Sequence, residues 1–189
     1  FWSLDLSLHP SKLKWDVEAA WPDEGPERFL AVAGSLGDDF FLFSGAQLIE
    51  EENGETRRSF LRDAYRFSSG KWMRLADLPH SVCAAPTPAV RAGVSHLYVL
   101  PGDSGENFGK PLEDRHPGFQ REILAFHPIT NTWKIDGSML KDVGADPEKD
   151  PARGVWPPVT TATVEWQGRV VVPTGEARPG VRTSRVVVA

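Results

Sequence analysis

Short apolar runs alternate along the whole chain with clusters of glycine, proline, aspartate and asparagine, and no long helical period interrupts them. Three of these runs end in glycine: "FFLFSG" (40–45), "LYVLPG" (97–102) and "VVVPTG" (170–175). Each follows another apolar, small-residue stretch, "FLAVAGSLG", "AAPTPAVRAG" and "VTTATVEWQG". Each precedes a third kind of segment, "LRDAYRF" (61–67), "REILAFH" (121–127) and "RTSRVVV" (182–188). Trp72 and Trp133 then close two of these groups, and Trp15 does the same for the opening segment "FWSLDLS". Runs of this length with turn residues between them read as strands.

The order of features repeats, and a repeat decides the fold before anything else does. Each unit reads as four antiparallel strands, the blade of a β-propeller. "LRDAYRFSSGKWMRLADLP" and "ILAFHPITNTWKIDG" resemble the closing halves of kelch repeats, in which a strand, a turn and a tryptophan strand run to a stop. The tryptophans recur at roughly 60 residues, longer than the kelch period of about 50, with the excess falling in loops. The double glycine usual after the second strand is reduced to Ser44-Gly45, Pro101-Gly102 and Thr174-Gly175. The predicted fold is therefore all-β, a degenerate kelch-type propeller with blade boundaries near 1–24, 25–78, 79–140 and 141–189. The count begins in the third strand of one blade, holds two whole blades and stops in the third strand of another. About three and a quarter blades cannot close a ring of four to eight. The expectation is half of a larger, six-bladed propeller whose remaining blades are this chain's partners.

Composition narrows the classes. Of 189 residues, 40% are hydrophobic and 25% charged, which places the chain among globular proteins. A net charge of −5 without a Lys/Arg block argues against nucleic-acid binding. Apolar runs such as 40–43 and 186–189 are too short for a membrane-spanning helix. One cysteine, Cys83, excludes an internal disulfide framework and a cysteine-based zinc cluster. His9, His80, His96, His116 and His127 lack metal-ligand spacing, so no metal is expected. No phosphate-binding glycine loop or nucleophile elbow is present. The chain begins without Met or a signal-peptide pattern, and Phe1 reads as strand interior, so an excised piece is expected.

Candidate chemistry collects near the end, in "VVPTGEARPGVRT" (171–183), where a glutamate and two arginines surround a Pro-Gly turn. In a four-stranded meander, the strand two-to-three and four-to-one connections share one face. Glu176 follows a second strand, Arg182 opens a third, and Arg28 lies in a four-to-one connection, so all three are expected at one mouth of the propeller. The long segments 46–59 and 103–120 read as strand two-to-three loops on that face, and 141–158 as a rim or lid.

"TGEARPGVRT" resembles the Asn-Gly-Glu-Ala-Lys-Pro-Gly-Leu-Arg-Thr type of segment of N-acetylneuraminate epimerases, sialic acid mutarotases built on kelch propellers. "FWSLDLSLHPSKLKWDVEAAWPDEGPER" is similar to the first-blade segment of that family, and the resemblance runs in order along the N-terminal half of its members. It implies a mutarotase that interconverts sialic acid anomers, with Glu176 as the proton acceptor and Arg182 as its active-site partner. A guanidinium binds a carboxylate bidentately, so Arg182 is the first choice for the carboxylate of such a substrate, with Arg28 and Arg178 second. Pro179 and Gly180 would fix the turn so that Glu176 and Arg182 face one pocket. The resemblance also implies no cofactor and an extracytoplasmic location, and it leaves room for a homodimer. A different reading stays open, a kelch propeller that binds a glycan or protein without catalysis, because one scaffold hosts unrelated functions. Asp63 is expected to brace a loop, and Cys83 to lie buried.

Overall fold

The computed structural model describes residues 1–22, 25–110, 116–140 and 156–189. β1 (Trp2–Leu4) and β2 (Trp15–Val17) pair antiparallel around a 3-10 turn at Pro10–Lys12. Next come β3 (Val32–Leu36), β4 (Asp39–Phe43), β5 (Ala46–Glu50), β6 (Thr56–Phe60), β7 (Ala64–Ser68) and β8 (Lys71–Arg74). Of these, β3-β4-β7-β8 form a four-stranded sheet, and β5-β6 form a separate ribbon. β9 (Val90–Ala92), β10 (His96–Val99), β11 (Glu122–His127) and β12 (Thr132–Ser138) form a second four-stranded meander. β13 (Val164–Trp166), β14 (Arg169–Arg178) and β15 (Val181–Val188) form a three-stranded sheet. Every pairing of these strands is antiparallel. The fold is all-β, with the blades of a kelch-type propeller.

Alternation along the strands sends large apolar side chains to the blade faces. Val32 of β3, Phe41 and Phe43 of β4, Leu97 and Val99 of β10, and Leu124 and Phe126 of β11 are completely buried in one core that joins the two four-stranded sheets. Fully burying a side chain of this kind contributes roughly 1.5–3 kcal/mol relative to exposure.

The closing tryptophans bind blade to blade. Trp133 of β12 packs tilted 4.7 Å from Phe126 of its own sheet and edge-on 5.1 Å from Phe43 of the preceding one, and its indole N–H donates to the Ala76 carbonyl at 2.9 Å. Trp72 of β8 repeats the arrangement one blade earlier, donating to the Ala19 carbonyl at 3.4 Å and packing edge-on against Trp21 and Phe1.

One expected loop is something else. Residues 46–59 fold as the β5-β6 ribbon, in register from Ala46↔Phe60 to Glu50↔Thr56. Asn53-Gly54 supplies its turn, with Gly54 at φ +80°. Asn-Gly between alternating apolar positions is a strong hairpin signal. Most of the expected rim segment 141–158 lies outside the described residues, as do residues 111–115 of the loop at 103–120.

Candidate active site

The repeat places three residues in equivalent positions. Each blade has an antiparallel bridge between a residue ahead of its first strand and the residue after the glycine that follows its second strand. The bridges are Phe29↔Ala46, Cys83↔Asp103 and Val159↔Glu176. The glycines allow this close approach. A Cβ on Gly102 would stand 2.4 Å from the Val82 backbone, and one on Gly175 would stand 2.8 Å from Pro158 and 2.9 Å from the Val159 carbonyl.

Leu30, Ala84 and Thr160 follow the first member of each bridge and are held at φ +55°, +59° and +54°. They are linked from blade to blade, Ala84 N–H donating to Leu30 O at 2.9 Å and Thr160 N–H to Ala84 O at 2.7 Å. Left-handed backbone at non-glycine residues costs about 1–3 kcal/mol each, and it clusters where a site over-determines the chain.

These three residues line a cleft of about 610 Å³, together with the acids Asp103 and Glu176 and the basic side chains of Arg58 and Lys110. A volume of roughly 300–1,000 Å³ is usual for small-molecule sites. The two acids come from the bridge position of successive blades, where the earlier blade carries Ala46.

Glu176 is half-buried and held at both oxygens. Gly180 N–H donates to Oε1 at 2.5 Å, and Thr160 Oγ1 donates to Oε2 at 3.3 Å. The Gly180 contact comes from the hairpin turn, where Pro179 at the second position and Gly180 at the third, φ +78°, follow the type II pattern. Register shifts in β14 at Pro173/Gly175 and Glu176/Arg178 bend the strand beside the acid, and such bulges re-aim side chains next to sites.

Asp103 is half-buried, and Gly105 N–H donates to its Oδ1 at 2.9 Å. Its carboxyl pKa is raised above the ordinary value, first by burial and also by the facing charge of Glu176. Gly105 N–H, Arg58 and His116 act in the opposite direction without overcoming burial. Burial also lowers the pKa of His116 and pushes the Cys83 thiol up to about 12, so the thiol stays protonated and serves packing. Cys83 is 1% exposed, as its small-residue context predicts.

Arg58 reaches the cleft from the β5-β6 ribbon. Its guanidinium lies 5.4 Å from the ring centroids of both Phe29 and Phe108. Rings on such a group hold its plane while leaving the N–H edge for a ligand.

The arginines singled out in the sequence separate. Arg182 stands directly opposite Glu176 in the β14-β15 register, with its side chain exposed and outside the lining of the cleft. Arg178 is buried on the same hairpin, where its charge helps lower the His116 pKa. Arg28 does not line this cleft. Its fork grips Asp63 at 2.6 and 2.9 Å, it donates to the Ser44 carbonyl at 3.1 Å, and Trp21 and Tyr65 cover its faces. Side-chain exposures of 5% and 9% make Arg28–Asp63 a buried pair, with Asp63 bracing the loop that carries Arg28.

Asp103 and Arg58 were not singled out in the sequence. Asp103 follows Gly102 as Glu176 follows Gly175, so repeat alignment carries the signal for it. Arg58 has no such local signal, because only the ribbon brings it to the cleft.

Fold and cleft together define a kelch-type propeller with a cleft lined by two carboxyl groups and a guanidinium. The solved structure of YjhT, a kelch propeller, superposes on 99% of this chain and 55% of its own, with a TM-score of 0.68 and 20% identity. No family model matches the chain. The chain is homologous along 97% of its length to proteins named N-acetylneuraminate epimerase. Two from Haemophilus influenzae, strains 86-028NP and PittEE, are 30% and 29% identical to it over 217 aligned positions. The chain spans about half the length of these relatives, 49% in each case.

Proposed function

We propose that the protein carrying this chain interconverts the α and β anomers of N-acetylneuraminate or a close acidic sugar, with Glu176 as general base. The observation that carries this reading is the placement of Glu176. A carboxylate is oriented by Gly180 and Thr160 at the wall of a sugar-sized cleft, inside the segment "TGEARPGVRT" that resembles the epimerase family, and relatives that carry the epimerase name support the reading. Mutarotation requires removal of the anomeric hydroxyl proton, opening of the ring to the keto form, and closure on the other face. A positioned carboxylate contributes roughly 10²–10⁴-fold to such a step.

Arg182, opposite Glu176, supplies positive charge on the side where an acidic substrate enters. Arg58 offers a second guanidinium within the cleft wall, and planar groups of this kind match a carboxylate bidentately.

The test releases α-N-acetylneuraminate with a sialidase and follows its decay by proton NMR. The intact protein is expected to accelerate the decay, and Glu176→Gln to lose about 10²–10⁴-fold of that acceleration. Equal, uncatalysed decay with both proteins would sink the enzyme reading and favour a propeller that binds a glycan or protein without turnover.

A further inference from the structure

We propose that Asp103 is the proton donor to the ring oxygen of the substrate, acting across the cleft from Glu176; this deepens the mutarotase reading and rests on it. Opening the ring needs a base at the anomeric hydroxyl and an acid at the ring oxygen. Asp103 and Glu176 occupy the same structural position in successive blades and line one cleft. The backbone link from Ala84 to Thr160 fixes one bridge relative to the other.

Their surroundings divide the two roles. Both Glu176 oxygens accept hydrogen bonds, which fixes the orientation of the carboxylate that takes the proton. On Asp103 the Gly105 N–H holds Oδ1, which leaves Oδ2 to carry the proton that the step transfers. Among the described residues, the groups facing Asp103 are Arg58 from β6, His116 from the segment before β11, Glu176 from β14 and the neutral thiol of Cys83, with Lys110 lining the same cleft. Arg58 and His116 favour its ionised form; burial and Glu176 oppose it and prevail, so the proton is held to higher pH. Two carboxyls in different environments lining one cleft are a recurrent acid–base arrangement.

The step balances. Glu176 takes the anomeric O–H proton as the C–O bond to the ring oxygen breaks and a carbonyl forms. The electron pair left on the ring oxygen takes the Asp103 proton and becomes a hydroxyl. Rotation about the bond beside the carbonyl presents its other face. The hydroxyl then attacks, returning its proton to Asp103, while Glu176 returns the first proton to the carbonyl oxygen. Both side chains end as they began.

The experiment measures anomer exchange with the intact protein, its Asp103→Asn and Asp103→Glu variants, and Glu176→Gln, across pH. Asn keeps an acceptor for Gly105 and removes only the transferable proton. Asp103→Asn is expected to lower kcat about a hundredfold or more with KM within about threefold. Wild type should lose activity at high pH as its donor ionises, and Asp103→Asn should lose that alkaline limb. Asp103→Glu, which keeps a carboxyl, should recover part of the rate. An active wild type with Asp103→Asn within about threefold of its kcat, or with the alkaline limb intact, overturns the Asp103 role and leaves the Glu176 reading standing. A wild type that does not accelerate exchange overturns both.

Discussion

An ionised Asp103 destabilises the folded protein, because burial and the facing Glu176 make the native state hold its proton more tightly than the unfolded chain does. The sign follows from linkage. The stabilisation contributed by the protonated form is complete below the unfolded carboxylate value, near about 4, and is lost as pH rises through the higher folded value. Asp103→Asn is therefore expected to melt at a higher temperature than wild type at neutral pH, with the gap closing as pH falls below about 4. Thermal melts across pH check this, and a lower melting temperature for the variant at pH 7 would refute it. At this scale the sequence exposed Glu176, because its string of neighbours is distinctive. It exposed Asp103 less, because "PGDSG" carries no charge cluster and its meaning comes from a position repeated in the next blade. Arg28 illustrates the opposite: its place in the connection before β3 was legible, but its engagement with Asp63 depends on a carboxylate that only folding brings to 2.6 Å.

The hairpin β14-β15 turns one loop into a site. Pro179 and Gly180 close the turn, the bulges bend β14, and Gly175 lets the strand pass against Pro158 and Val159. Gly175→Ala is expected to destabilise the protein by more than about 1 kcal/mol, since its φ of +126° and the 2.8 Å approach both oppose a side chain. Chemical denaturation of the variant measures this, and a stability equal to wild type would show that the strand can retreat without loss. Period-two alternation and terminal glycines made the strands legible. The β5-β6 ribbon was harder to read, because "LIEEENGETRRS" is crowded with charge that obscures its Asn-Gly turn. Charged residues suit a two-stranded ribbon that is solvated along its length, as most of this one is.

Across the molecule, the recurring tryptophans revealed the blades, and the structure shows what they do. Trp133 inserts between Phe43 and Phe126 and caps the Ala76 carbonyl. Trp133→Phe keeps an aromatic ring but leaves that carbonyl without its donor. It is expected to lose about 1 kcal/mol for the hydrogen bond, and more from the vacated volume. Calorimetry of the intact protein checks the direction, and an unchanged melting temperature would mean that the blades are held by the core alone. Contacts between blades stayed hidden in the sequence because they join residues one whole repeat apart, and period alone does not say which atoms meet.

The bridge position has a consequence for how such a protein diversifies. One backbone location, braced by peptide-to-peptide bonds, presents a methyl at Ala46, a short acid at Asp103 and a longer acid at Glu176. It behaves as an interchangeable socket, in which one codon sets the chemistry offered to the cleft while main-chain atoms hold the frame. The same frame can therefore offer a different reactivity in each blade without a change of architecture.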